Sequence, residues 1–122
     1  MVLVTINKPK RLLMFTFAGR VEAAHLVQSY QDASVMIGEL QSGFHLLADL
    51  TQLESMSLDC APEIAKVMDL CAKAGVKQIV RIIPDPAKDI GFTILTRFHY
   101  PNRPRTVTCE TLLEGAKYLD LV

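Results

Sequence analysis

The chain has 122 residues, 50% of them hydrophobic, and its 13 Lys+Arg balance 13 Asp+Glu for a formal net charge of zero. A length of this order suits one domain that buries roughly two-thirds of its unfolded surface, which excludes any need for a metal or disulfide staple. Zero net charge argues against a dominant attraction to nucleic acid or anionic membrane.

In chain order, Met1 to Ile6 carries no basic segment ahead of a long apolar one, so it is a strand and not a signal peptide. Asn7-Lys8-Pro9-Lys10 is a turn, and Arg11 to Ala18, rich in Leu, Met and Phe, pairs with the first strand as an edge hairpin that Gly19 ends. From Val21, apolar positions Ala23, Leu26, Val27, Tyr30, Ala33, Ile37 and Leu40 recur at helical spacing. Gly43 stops the connection. Phe44 to Leu50 is apolar on both faces apart from His45 and Asp49, the pattern of a buried strand in a parallel sheet. Gln52 to Leu58 reads as a crossing segment.

A helix follows, with Ala61, Ile64, Ala65, Met68, Cys71 and Ala72 on one stripe and Gly75 at its end. Its start is marked by Pro62. A missing N–H costs least in the first helical turn, so the helix begins between Asp59 and Ala61. Val76 to Ile83 is a strand; Pro84-Asp85-Pro86 then starts a helix through Ile90, Ile94 and Leu95 towards Tyr100. Arg105 to Cys109 is a short final strand, and Thr111 with Glu114 has capping-box spacing for a last helix from Leu112 to Leu119. The alternation predicts a single α/β domain over residues 1–122, with one mixed, mostly parallel sheet of about five strands and about four helices.

Asp59 is the one good capping residue near the start marked by Pro62. Its carboxylate is expected to accept backbone N–H bonds at the positive end of the helix dipole, a turn suited to anions or to a phosphorylated side chain. A plain helix cap is the simpler reading, since capping preference alone explains an aspartate there.

The run Asp49-Leu50-Thr51, followed by Leu53 and Met56, resembles the signature of STAS domains, the anti-sigma factor antagonist fold. There an Asp-Leu-Ser segment leaves a central strand and leads to Asp-Ser-Ser-Gly or Asp-Ser-Thr-Gly at a helix start. The helix from Asp59, the Ala74-Gly75-Val76 turn and the closing Glu110 to Leu119 segment fall where that family places them, so the element order covers nearly the whole chain. The same architecture serves lipid-binding relatives of the Sec14 type.

The resemblance implies a non-catalytic regulatory module that binds a protein, an anti-sigma factor or kinase-like regulator, through Thr51, Ser55, Ser57, Asp59, Cys60 and Glu63. In the family the second hydroxyl of the motif accepts phosphate, and phosphorylation dissociates the partner. Counted from Asp49, that position is Asp59, which cannot be phosphorylated by a serine kinase and carries one charge where phosphoserine carries nearly two. The serine phosphoswitch is therefore expected to be absent. An alignment shifted by two residues would make Ser57 the phosphorylation candidate.

The alternative is a binding module for an apolar or lipid-like small molecule. Phe92, Ile94 and Leu95 are its candidate contacts, because the helix from Pro86 is more apolar than one face requires. A third reading places a thiol or hydrolytic centre at Cys60 with His45 or Asp49, which share a strand face. Against it, a small buried thiol at Cys60, a core thiol at Cys71 and a lone core histidine at His45 are simpler. Arg97, Phe98, His99, Tyr100, Arg103 and Arg105 interleave cations and aromatics as single-strand nucleic-acid clamps do. They equally supply what a helix end needs, and zero net charge favours that reading. The three cysteines, Cys60, Cys71 and Cys109, are odd in number and scattered, so they read as free thiols in a reducing compartment. No phosphate loop, metal spacing or nucleophile elbow is present, so no cofactor and no metal are expected. No run approaches the roughly 18 apolar residues of a membrane span, and a cytoplasmic protein able to form a homodimer is expected.

Overall fold

The computed structural model describes residues 1–85 and 104–121. Its elements are β1 (Val2–Asn7), β2 (Leu12–Val21), α1 (Ala23–Ile37), β3 (His45–Met56), α2 (Cys60–Ala74), β4 (Gln78–Ile82), β5 (Arg105–Cys109) and α3 (Leu112–Tyr118). The five strands lie side by side in sequence order. β1 and β2 form the antiparallel hairpin, and every other neighbouring pair is parallel, as the alternation of elements requires. The helix expected from Pro86 to Tyr100 lies outside the described residues. No helix among the described residues is long and apolar enough to cross a membrane.

Side chains alternate across the sheet and feed two cores. Leu13, Phe15 and Phe17 of β2 join Leu46, Ala48 and Leu50 of β3 under α1 and α2. On the opposite face Leu12, Leu47, Val80 and Ile82 pack with Cys109 and Leu119 beside α3. There Gly115 lets α3 lie almost against β4: a Cβ on it would sit 2.3 Å from Ile82 Cδ1.

Three expectations are corrected. β2 does not stop at Gly19 but continues to Val21, and β3 does not stop at Leu50 but runs to Met56. Ala18 to Val21 pairs with Gln52 to Met56, which satisfies the backbone of a stretch too polar to read as a strand. Two register shifts insert extra residues into β3, so Leu53 returns to the core face after Leu50. On α1 the buried residues are Leu26, Ser29 and Ala33, whereas Val27 and Tyr30 are exposed. Ser29 is tolerated in the core because its hydroxyl donates to Leu26 O at 2.9 Å. At the start of α1 the His25 Nδ1 accepts the Glu22 amide at 2.9 Å and closes the first turn.

The ends of the other helices fall close to expectation. α2 starts at Cys60, inside the window set by Pro62, and ends at Gly75 with φ of 91°. Thr111 Oγ1 accepts the Glu114 amide at 3.2 Å, the expected cap of α3.

Candidate functional site

The turn Ser57 to Cys60 joins the carboxyl end of β3 to α2 and is tied down from three directions. The Ser57 amide donates to Val21 O at 3.2 Å, which fixes the end of β3 against the end of β2. The amides of Cys60 and Ala61 donate to Ser57 O and Leu58 O at 3.1 and 3.2 Å. The Cys60 thiol, 1% exposed, donates to the same Val21 carbonyl at 3.6 Å and so anchors the turn from inside.

These bonds correct the expected role of Asp59. Its carboxylate accepts no backbone amide, and its own φ of −72° and ψ of −4° are already helical. The first two helical amides are taken by the carbonyls of the turn, and the third helical position is Pro62, which has none. No donor is left for the side chain to cap. Asp59 Oδ1 instead accepts the Ser57 hydroxyl, and both residues are exposed. Ser57 Oγ also lies 3.4 Å from Cys60 Sγ.

Between Ser57 and Asp59, Leu58 is 94% exposed. Its neighbours hold the backbone in one conformation, so this apolar side chain is presented and not merely unburied. Composition gave no hint of it. The available signal was one leucine between the polar residues Ser57 and Asp59.

Of the other expected contact residues, Glu63 lies on the first turn of α2 and pairs with Lys66 at 3.2 Å. Ser55 is exposed on β3 opposite Arg20. Thr51 sits six residues before Ser57, roughly 15–20 Å down the strand. Its amide and hydroxyl both donate to Asp49 Oδ1, at 3.0 and 2.7 Å. Ser57, Leu58, Asp59 and Glu63 thus form one patch with Cys60 beneath it, while Thr51 belongs to a different part of the sheet.

The pairing of His45 with Asp49 does not form. His45 opens β3 at the amino end of the sheet, and the Asp49 carboxylate is engaged by Thr51. Burial, then the Lys77 and Arg11 charges, hold the His45 imidazole below its ordinary pKa. Cys60 lies beyond the other end of β3, on the order of 35 Å of strand away, so no thiol–imidazole pair exists. Burial pushes the Cys71 thiol up to about 12. Burial, followed by Glu114, also raises the Cys109 thiol. Neither offers a thiolate near neutral pH.

Between the sheet and the α1–α2 layer lies an apolar cavity of about 40 Å³, lined among others by Phe15, Phe17, Leu26, Ile64 and Met68. That space holds a few water-sized molecules and no lipid chain. Phe92, Ile94 and Leu95, the expected contacts for such a ligand, lie outside the described residues, as do Arg97 to Arg103 of the basic and aromatic cluster. Arg105 of that cluster stacks over the Tyr118 ring at 5.9 Å from its centroid. Among the described residues no group of His, Cys, Asp and Glu could hold a metal ion.

Solved structures share this architecture over the full chain. The anti-sigma factor antagonist SpoIIAA in its unphosphorylated form is similar at a TM-score of 0.63 and 15% identity, with 100% of each chain covered. An uncharacterised protein of the DUF3478 family with a SpoIIAA-like fold, from Shewanella loihica PV-4, gives a TM-score of 0.66 at 18% identity, covering 98% of this chain and 92% of that one. The Bacillus cell fate determinant SpoIIAA in its phosphorylated form gives 0.61 at 14% identity, covering 98% and 99%. No family model matches the sequence, and no curated protein matches it. The fold is STAS-like, of the SpoIIAA type.

Proposed function

We propose that this chain is a non-catalytic regulatory module of the cytoplasm that binds a protein partner, an anti-sigma factor or kinase-like regulator, through the turn at the carboxyl end of β3. The observation that carries this reading is Leu58, 94% exposed on a turn whose backbone and thiol bonds all face inward. An apolar side chain presented from a hydrogen-bonded turn, with acidic neighbours, has the makings of an interface anchor, because little backbone freedom is lost when a partner covers it. The similarity of the fold to anti-sigma factor antagonists supports the class of function.

The turn works without a serine phosphoswitch. Asp59 already receives the Ser57 hydroxyl. A phosphoryl group on Ser57 would bring nearly two negative charges against that carboxylate, and at Asp59 itself no hydroxyl exists to accept one.

Affinity purification with the wild-type chain and with Leu58→Asp as baits, followed by mass spectrometry, tests the proposal. One protein retained by the wild type and released by Leu58→Asp, with melting temperatures within about 2 °C of each other, is the expected result. A wild-type bait that holds nothing the variant loses overturns it.

A further inference from the structure

The formal net charge of the chain is zero, yet among the described residues charge is separated along the strand direction. At the carboxyl end of the parallel strands stand Glu22, Glu54, Asp59, Glu63, Asp85 and Glu110, against Arg20, Lys66 and the N-terminal ammonium, which donates to Ala18 O at 2.8 Å. At the amino end stand Lys8, Lys10, Arg11, Lys77, Arg105 and Lys117, against Glu39 and Asp120. Lys8 is committed to Glu39 at 2.7 Å.

Inside the cationic end one buried polar atom has no hydrogen-bond partner among the described residues, Nδ1 of His45. Buried polar atoms are nearly always satisfied, so an orphan asks for a ligand. His45 is the first residue of β3, and its imidazole shares a side-chain hydrogen bond with Gln78, its neighbour on β4, which leaves Nδ1 as the unpaired ring atom. Lys77 and Arg11 flank His45 on the neighbouring segments: the Lys77 amide donates to Phe44 O at 2.8 Å and the His45 amide to Arg11 O at 2.7 Å, and both charges act on the imidazole. Arg11 is fixed in place: its Nη2 donates to Ser42 O, and it runs so close over Gly43 that a Cβ there would stand 3.1 Å from that nitrogen. The one carboxylate acting on His45 is Asp120. The carbonyls at the end of α3 are already occupied. Ala116 O accepts the Leu119 and Leu121 amides, Lys117 O accepts the Asp120 amide, and Asp120 O accepts Lys10 Nζ at 3.4 Å.

We propose that the amino end of the sheet binds a small phosphate-bearing anion, with its oxygens on the Nδ1–H of His45, the Arg11 guanidinium and the Lys77 ammonium. Three donors of different shape on adjoining segments match the several oxygens of a phosphate better than the two of a carboxylate. A nucleic-acid backbone needs a track of cations along a face, whereas these are confined to one end. This site stands apart from the protein-binding turn, at the opposite end of β3.

Nuclear magnetic resonance titration of the histidine rings with inorganic phosphate and then pyrophosphate, at constant ionic strength, tests the site. His25, at the acidic end, is the internal reference. The expected result is a saturable shift of His45 alone, a rise in its pKa as the anion binds, and tighter binding of pyrophosphate than of phosphate. Lys77→Ala, at an exposed position, weakens binding roughly tenfold, and Asp120→Asn tightens it about two- to threefold by removing the nearby carboxylate. Asn is well suited to the φ of 56° at that position. Absence of any His45 response, parallel unsaturating shifts of His45 and His25, or an unchanged affinity in Lys77→Ala overturns the proposal.

Discussion

The two ends of α2 are closed in opposite ways. At its carboxyl end Gly75 turns left-handed, its amide and that of Val76 each donate at 3.1 Å to Ala72 O and Cys71 O, and its carbonyl accepts the Gly43 amide at 2.8 Å. A Cβ on Gly75 would sit 2.2 Å from Ser42 Oγ, so chain and side chains are packed together there. At the amino end the backbone closes itself just as fully, with the carbonyls of Ser57 and Leu58 taking the first helical amides. The side chains of Leu58 and Asp59, however, are left pointing outward. A helix end whose backbone needs nothing from its side chains leaves those side chains available for contact, whereas one sealed by packing does not.

That contrast can be broken by substitution, most severely at the sealed end. Gly75→Ala forces a Cβ into both an unfavourable φ and Ser42, and is expected to cost about 2–4 kcal/mol in urea unfolding. A loss below about 0.5 kcal/mol would mean that the turn relaxes easily and the two ends do not differ. At the open end Leu58→Asp is expected to weaken partner binding by at least roughly tenfold while moving unfolding by less than about 0.5 kcal/mol. Equal effects on binding and stability would show Leu58 to be structural. Asp59→Ala sharpens the point: a true capping aspartate costs about 1 kcal/mol on removal, and here the expected change is within about 0.5 kcal/mol. A full capping loss in denaturant titration would restore Asp59 to the helix.

The smallest effect comes from His45, near the sealed end. Its folded pKa lies below the ordinary 6.5, so on acidification the unfolded chain takes up the proton first. Stability is therefore fully present above 6.5 and declines as pH falls through 6.5 towards the folded value. Denaturation midpoints at pH 7 and pH 5 should differ less in His45→Gln than in the wild type. An identical pH dependence in both chains would assign the decline to other groups.

Where local chemistry alone decides, the chain can be read directly. Pro62 places the start of α2 because its ring tolerates few positions, Gly75 its end because of the left-handed turn, and the Thr111–Glu114 spacing the start of α3. The extent of β3 could not be read in this way. Gln52 to Met56 is polar on its outer positions and becomes a strand because β2 continues alongside it, a pairing between segments more than thirty residues apart. Asp59 misled for a related reason: a capping preference assumes unclaimed amides, and here the preceding turn claims them. The buried face of α1 was displaced towards Ser29 because helical spacing alone does not exclude a small polar residue that bonds its own backbone.

Alternation of apolar strands and helices determined by itself that this chain folds as a mixed, mostly parallel α/β sheet, since buried strands and crossovers follow from periodicity and turn residues. Only the tertiary structure decided that Leu58 stands in the open beside a hydroxyl–carboxylate pair, and that among the described residues opposite charges gather at opposite ends of the sheet. Both depend on distances between residues remote in sequence, and periodicity carries no information about such distances.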